Sequence, residues 1–273
     1  RCTCLTLRTS RLSKFTLGAD PELFMVDAAG ALVSSIGRIG GTKERPKPLP
    51  IGDGFAVQED NVAVEYNIPP ADSRLAFRGN ISKAMSYLSD TIALNNLQFS
   101  NLASASWPKE QLTSHAARTF GCDPDFDAWD KGAINPKPKA KDKTLRSCGG
   151  HVHVGLKFTK QEEVWDFIKM CDLFLAVPAT LMDPDDKRKE LYGKRGAFRY
   201  KPFGCEYRVL SNFWVHEPRL ADWVWDSVDR AVDAWQNKSI NVDADGDLIE
   251  MAVNKNDKII ASKLIDKYNL MVI

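Results

Sequence analysis

CGGHVHVG, residues 148–155, sets two histidines one residue apart among valines and glycines. Successive side chains of a strand point to opposite faces, so His151 and His153 share one face and Val152 and Val154 the other. The whole chain holds 4 histidines in 273 residues. Two imidazoles on one strand face serve packing poorly and point instead to a metal, a ligand or a substrate. The valines then face a core. The stretch thus predicts a sheet with one apolar face and one chemically active face.

Three other segments repeat that division. TLGADPELFMV (16–26) opens a hairpin that turns at DAAG and returns as ALVSSI. It carries Asp20 and Glu22 at i and i+2, on one face. FAVQEDNVAVEYNIPP (55–70) reads as a second hairpin turning at EDN. In it Val62, Val64, Tyr66 and Ile68 share one face, and Ala63, Glu65 and Asn67 the other. GCEYRVLSNFW (204–214) presents Glu206 and Arg208 together, and is entered from a basic loop holding Lys194, Arg195, Arg199 and Lys201. If these strands share a sheet, one face packs on helices and the other is a wall of carboxylates, imidazoles and guanidinium groups.

Helical spacing of apolar residues marks 71–96 behind an Asp72 cap, and 218–237. It also marks 159–182, with a Thr159 cap and Glu162 closing a capping box. Pro178 should kink or end that helix. Hairpins followed by interleaved helices and strands give an α+β fold with a mainly antiparallel sheet. Residues 1–14 read as a flexible leader and 15–273 as a single domain. NVDADGDLIE (241–250) has three acids at calcium-loop spacing, but its glycine is misplaced, so it reads as a tight turn.

Composition narrows the class. Hydrophobic residues make up 44% and charged residues 27%, as in ordinary globular proteins. A net charge of +1 gives no global pull toward nucleic acid or acidic membranes. No apolar run reaches a membrane span; 167–182 comes nearest and is interrupted by Lys169, Asp172 and Pro178. The 6 cysteines are irregularly spaced, which suits reduced thiols in a cytoplasmic protein. Cys2 and Cys4 alone do not complete a zinc site.

Carboxylates with an imidazole suit a divalent metal, and carboxylate-rich sets suit Mg²⁺ or Mn²⁺ holding phosphates. Nearby arginines and lysines neutralise a transferring phosphoryl group. The chain has no G-x-x-x-x-G-K-[ST] loop, so a nucleotide site here is of another design.

GADPELF, VAVEYNIPP, CGGHVHVG and GCEYRVLSNFW, in this order, resemble carboxylate–amine ligases with a glutamine synthetase-like fold. In particular, they are similar to the phage amidoligase family described as phiEco32-like COOH-NH2 ligase type 2. The likeness runs over roughly residues 15–215. It implies a curved antiparallel sheet of glutamine synthetase or glutamate–cysteine ligase type, with helices on the outer face. It implies ATP with Mg²⁺ (or Mn²⁺), an acyl phosphate, and small-molecule or peptide carboxylate and amine substrates. By the resemblance, Asp20, Glu22, Glu65, His151 and Glu206 bind metal, and His153 faces nucleotide phosphates. Arg208 meets the transferred phosphoryl group, with Arg199, Arg195 and Lys201 as further phosphate contacts. Family members usually carry another acid shortly before the Glu65 position, and here Glu59 and Asp60 compete for it. Loops 37–54 and 131–147 are lid candidates. The location implied is the cytoplasm, that of the host if phage-encoded.

Two other readings stand beside this one. A strand H-x-H also opens binuclear metal-dependent hydrolase sites, but those need more histidines, and only His115 and His216 remain. A non-catalytic binding protein with a ligase fold would not need the full set of acids and arginines.

Overall fold

A computed structural model of the protein describes residues 14–118, 125–137 and 141–273. Cys2, Cys4, Cys122 and all of the leader except Lys14 lie outside the described residues, as do 138–140 of the second lid candidate.

Ten strands form the main sheet: β1 (Thr16–Ala19), β2 (Glu22–Leu23), β3 (Lys47–Pro48), β4 (Ala56–Asp60), β5 (Ala63–Ala71), β6 (Phe126–Asp127), β7 (Ala133–Ile134), β8 (Val152–Gly155), β9 (Ala197–Lys201) and β10 (Gly204–Tyr207). Their order is β7-β6-β9-β10-β8-β1-β5-β4-β3, with β2 also on β5. Every pairing is antiparallel. The fold is therefore α+β around a large antiparallel sheet, and all four motif segments contribute to it.

The division of faces is as the alternation requires. Leu17, Val64, Tyr66, Val152, Val154, Phe198, Cys205 and Tyr207 are buried in the main core. Against that face pack α1 (Arg74–Ala93), α2 (Gln161–Cys171) and, across both helices, α4 (Pro218–Asn237). Burying side chains of this size contributes about 1.5–3 kcal/mol each, so the sheet cannot turn over without losing its core. Two small helices, α5 (Gly246–Asn254) and α6 (Lys258–Tyr268), close the far end; of the stretch 241–250 read as a tight turn, only Val242–Asp245 is a 3-10 turn, and 246–250 begins α5.

Several local expectations are corrected. The first strand does not run straight through 16–26. It breaks at Asp20–Pro21, after a register shift on β5 between Leu17 and Ala19, and Met25–Asp27 joins a separate three-stranded sheet. Proline has no N–H to donate and a fixed φ, so the ladder is interrupted there. The second hairpin turns at Asn61–Val62 rather than at EDN, because Glu59 and Asp60 are still paired, with Val64 and Ala63. Asn61 takes the left-handed conformation (φ 55°), which asparagine tolerates.

The segment before β10, expected as a basic loop, contains β9, paired residue for residue with β10. Ala-Phe-Arg-Tyr-Lys alternates, but its charge masks the pattern. Ser73, not Asp72, caps α1, accepting from the Ala76 N–H. Lys160 rather than Thr159 is the N-cap of α2, and Glu163 closes the box. The long helix does not end at Pro178. A π turn over Asp172–Ala176 precedes α3 (Val177–Met182), and its wider winding spares the proline ring a clash with the preceding turn.

Candidate active site

Two cross-strand rows build the polar face. In the first, Gly18, His153, Glu206 and Arg199 face one another across β1, β8, β10 and β9. In the second, Glu22, Glu65 and Gln58 do so across β2, β5 and β4. The break at Asp20–Pro21 joins them. Asp20 donates its N–H to the His151 carbonyl, while Glu22 donates to the Gly149 carbonyl and takes the Gly149 N–H on its side chain at 2.6 Å. Between the rows lies a cavity of about 360 Å³, a size usual for small-molecule sites.

The first cluster is mixed in charge. His153 Nε2 lies 3.2 Å from Asp20 Oδ2 and 3.9 Å from Glu206 Oε2. Glu206 is fully buried and gathers three cations: Arg208 donates to it, Lys201 Nζ is at 2.6 Å and Arg199 Nη1 at 3.6 Å. Burial alone would raise its pKa. Arg208 and the two histidines outweigh that, and the carboxyl is held at about 2. Asp20, also buried, is likewise held well below the usual range by His153 and His151. Arg208 also reaches Asp125 (Nε to Oδ2, 3.6 Å).

The second cluster is all acid. Ligand-type oxygens of Glu22, Asp60 and Glu65 lie within 4.8 Å of one another. Burial, then the charge of Asp60, pushes Glu22 up to about 7. Glu65 is raised well above the carboxylate range by burial and by Asp20, Asp60 and Glu22. Asp60 is raised by burial, though Lys43 pulls the other way.

Both clusters fit divalent cations. In the first, Asp20 Oδ1, His153 Nε2 and Glu206 Oε2 are buried without a well-oriented hydrogen bond. Lone pairs left so at a group of oxygens and an imidazole nitrogen match hard-cation chemistry. In the second, burial and mutual repulsion of three crowded carboxylates outweigh the nearby charges of Lys43, Arg188 and Arg208, and all three are raised.

The structure brings Asp20, Glu22, Glu65, His151, His153, Arg199, Lys201 and Arg208 to the cavity wall, with Glu206 directly beneath. His151 and His153 both lie by the same carboxylates, with His151 Nδ1 3.4 Å from Asp20 Oδ1 and 3.8 Å from Glu206 Oε1. The atoms that group are those of Asp20, His153 and Glu206. His151 sits deeper, its Nδ1 3.3 Å from Arg208 Nη1. Burial and Arg208 push it down to about 4, so it is neutral at pH 7. Its ring lies over Gly149, where a Cβ would come 2.2 Å from Nε2, which is why glycine stands there.

Arg195 is elsewhere. Its guanidinium bonds Glu250 and the Gly246 carbonyl and stacks on Trp129, because the loop before β9 turns it to the α5 side. His115 and His216 are not among the cavity residues. Between Glu59 and Asp60, it is Asp60 that faces the cavity; Glu59 points the other way and binds backbone N–H groups of residues 37–40. Alternation from Glu65 across the turn would have found Asp60 and Gln58. Arg188 and Tyr192, which also line the cavity, come from irregular chain and carry no periodic signal.

Residues 143–239 match the family model described as Phage phiEco32-like COOH.NH2 ligase-type 2. The matched segment includes β8 to α4 and holds His151, His153, Arg199, Lys201, Glu206 and Arg208. The match supports the family read from the motifs, and with it a carboxylate–amine ligase type. Asp20 and the acid trio lie outside the matched segment and reach the site through sheet pairing alone. No curated protein matches the chain. No helix among the described residues is long and apolar enough to cross a membrane.

Proposed function

We propose that the protein is an ATP- and Mg²⁺-dependent carboxylate–amine ligase working through an acyl phosphate, on a sheet of glutamine synthetase type. The observation that carries this is one cavity with two adjoining ligand groups, Asp20/His153/Glu206 and Glu22/Asp60/Glu65, ringed by Arg199, Lys201 and Arg208. When bound, ATP supplies the phosphoryl group that activates the substrate carboxylate, and Mg²⁺ draws phosphate and carboxylate oxygens together.

The chain's own residues do the rest. Asp20, His153 and Glu206 would hold one cation, and Glu22, Asp60 and Glu65 the other. Lys201 and Arg199 face the phosphates from β9, and Arg208 sits where charge builds on the transferring group. His151 stays neutral and fixes Arg208 from behind. The carboxylate takes the phosphoryl group and ADP departs; the amine then bonds the acyl carbon, loses a proton, and phosphate leaves. The loop 37–54 covers the acid-trio end and keeps water from the activated carboxylate. Residues 15–273 act as one unit, in the cytoplasm where ATP is supplied, on small-molecule or peptide carboxylates and amines.

Hydroxylamine tests this, since it traps acyl phosphates as coloured hydroxamates. Incubation with ATP, Mg²⁺ and pooled amino acids should give hydroxamate and ADP in equal amounts, dependent on every component. Metal-dependent amide hydrolysis without ATP would overturn the reading in favour of a hydrolase. ATP binding with no turnover on any pool would favour a binding protein.

A further inference from the structure

The sheet does not hold the acid trio evenly. Glu22 and Glu65 face each other in the ladder of β2 and β5. Asp60 is the last residue of β4, paired with Ala63 where the ladder closes. Its placement is set by the turn that follows it, Asn61–Val62.

That turn is clasped from outside by a residue that none of the four motifs includes. Arg146 lies on the short strand Leu145–Ser147, which pairs with Ser104–Ser106 away from the main sheet. It lines the cavity and is only 4% exposed. Its Nε donates to Asn61 Oδ1 at 3.1 Å, and Nε and Nη2 donate to the Ala117 carbonyl at 3.1 and 2.7 Å. Nη1 donates to the carbonyls of Lys143 and Leu145 at 3.0 and 2.8 Å. Asn61 completes the clasp. Its Nδ2 donates to the Ala116 carbonyl at 3.1 Å, and its Oδ1 also accepts the Val62 N–H at 2.9 Å.

A guanidinium out of water is costly unless its donors are used. For packing alone, an apolar side chain of similar volume would serve as well or better. What the planar fork adds is direction. It ties the left-handed residue Asn61 (φ 55°) to the helical turn His115–Arg118 and to its own strand. The anchor is itself packed, since Val62, Ala63 and Ala117 share the small second core with Phe24 and Trp107. The Asn61 amide is thereby fixed at both its oxygen and its nitrogen, next to Asp60. We propose that Arg146 is a positioning residue that acts through Asn61 to hold Asp60 in ligand geometry. It sets the affinity of the acid-trio cation and leaves the cation of Asp20, His153 and Glu206 alone. This rests on the two-cation reading above.

The experiment titrates Mn²⁺ into the whole protein at pH 7.5 with a non-hydrolysable ATP analogue, and follows free ion by its paramagnetic resonance signal. Wild type should bind two ions. Arg146→Lys keeps the charge but loses the fork. It should weaken one ion about tenfold, the lower end for a group that orients a metal ligand from behind, and leave the other within about twofold. In a Glu65→Gln background, where the trio's ion is already weakened, Arg146→Lys should not change the remaining ion.

Asn61→Gly keeps the left-handed turn, which glycine adopts freely, and removes the amide; it should weaken the same ion by a similar factor. Joined to Arg146→Lys, it should add no more than about twofold, because both act through one contact. A general structural role would weaken both ions alike or give additive losses, and either result would overturn the assignment. So would an unchanged isotherm in Arg146→Lys or, should that variant fail to fold, in Asn61→Gly. Wild type that binds fewer than two ions would overturn the two-cation reading itself, and this inference with it.

Discussion

The two ligand groups of the cavity both rest on clustered carboxylates but reach opposite electrostatic ends. Around Asp20, His153 and Glu206 the sheet supplies its own countercharge, from Arg208, Lys201 and Arg199. Those carboxylates are ionised at neutral pH, and Glu206 sits at about 2. Around Glu22, Asp60 and Glu65 the protein supplies acid upon acid, and Glu22 rises to about 7. One group is preorganised and charged before anything binds. The other becomes fully charged only when a cation arrives. Fixed positive charge is thus concentrated around the first group, while the second keeps its protons.

The sharpest way to break the first group is Glu206→Gln. It leaves Arg208, Lys201 and Arg199 crowded around a neutral amide with the cation site incomplete. Turnover should fall by about 10³-fold or more, and unfolding free energy by about 3–5 kcal/mol, as for a buried ion pair that loses one partner. Hydroxamate formation and denaturant unfolding measure the two. Retention of the full rate would remove the site assignment.

The second group is tested by pH and metal together. Glu206, held below its unfolded value near 4.5, contributes stability above that pH and loses it as pH falls toward 2. Glu22 has the opposite sign. Its raised value means a stabilising proton that is fully present below about 4.5 and lost as pH climbs through about 7. Mg²⁺ or Mn²⁺ should therefore raise the unfolding free energy more at pH 7.5 than at pH 5, by a margin on the order of 2 kcal/mol. Glu65→Gln should raise metal-free stability at pH 7.5 and shrink the cation's effect. Equal shifts at both pH values would refute the contrast.

Gly149→Ala probes the seam between the groups. The added methyl would strike the buried His151 ring and press on the Glu22 contact. A loss of about 1–3 kcal/mol is expected, with lower turnover. The smallest effect belongs to Arg195→Ala. Its partners are Glu250, Gly246 and Trp129, so turnover should stay within about threefold, and stability should drop by about 1 kcal/mol.

Alternation made much of this legible in the sequence. It placed His151 with His153, Glu206 opposite Tyr207, and Glu65 opposite Val64, because burial of one face fixes the other. What it missed lies where the period fails. Pro21 interrupts the first strand, so Asp20 and Glu22, two residues apart, serve different groups. β9 hid behind its charge, which made Arg199 and Lys201 look like loop residues and let Arg195 be counted with them. Asp60 was obscured by a turn placed one residue early. Arg146 lies on a strand too short to show a period, and nothing local announces it.

The order of the sheet has a consequence for the chain during its synthesis. β1, near residue 16, finds one neighbour in β8, near 155, and the first ligand group is complete only when β10 has joined at 204–207. Some 190 residues of nascent polypeptide thus separate the first acid from its last partner. Until Arg208 has left the ribosome, the charged wall of the cavity is incomplete, and the unpaired edge of β1 must wait, solvated, for strands not yet made.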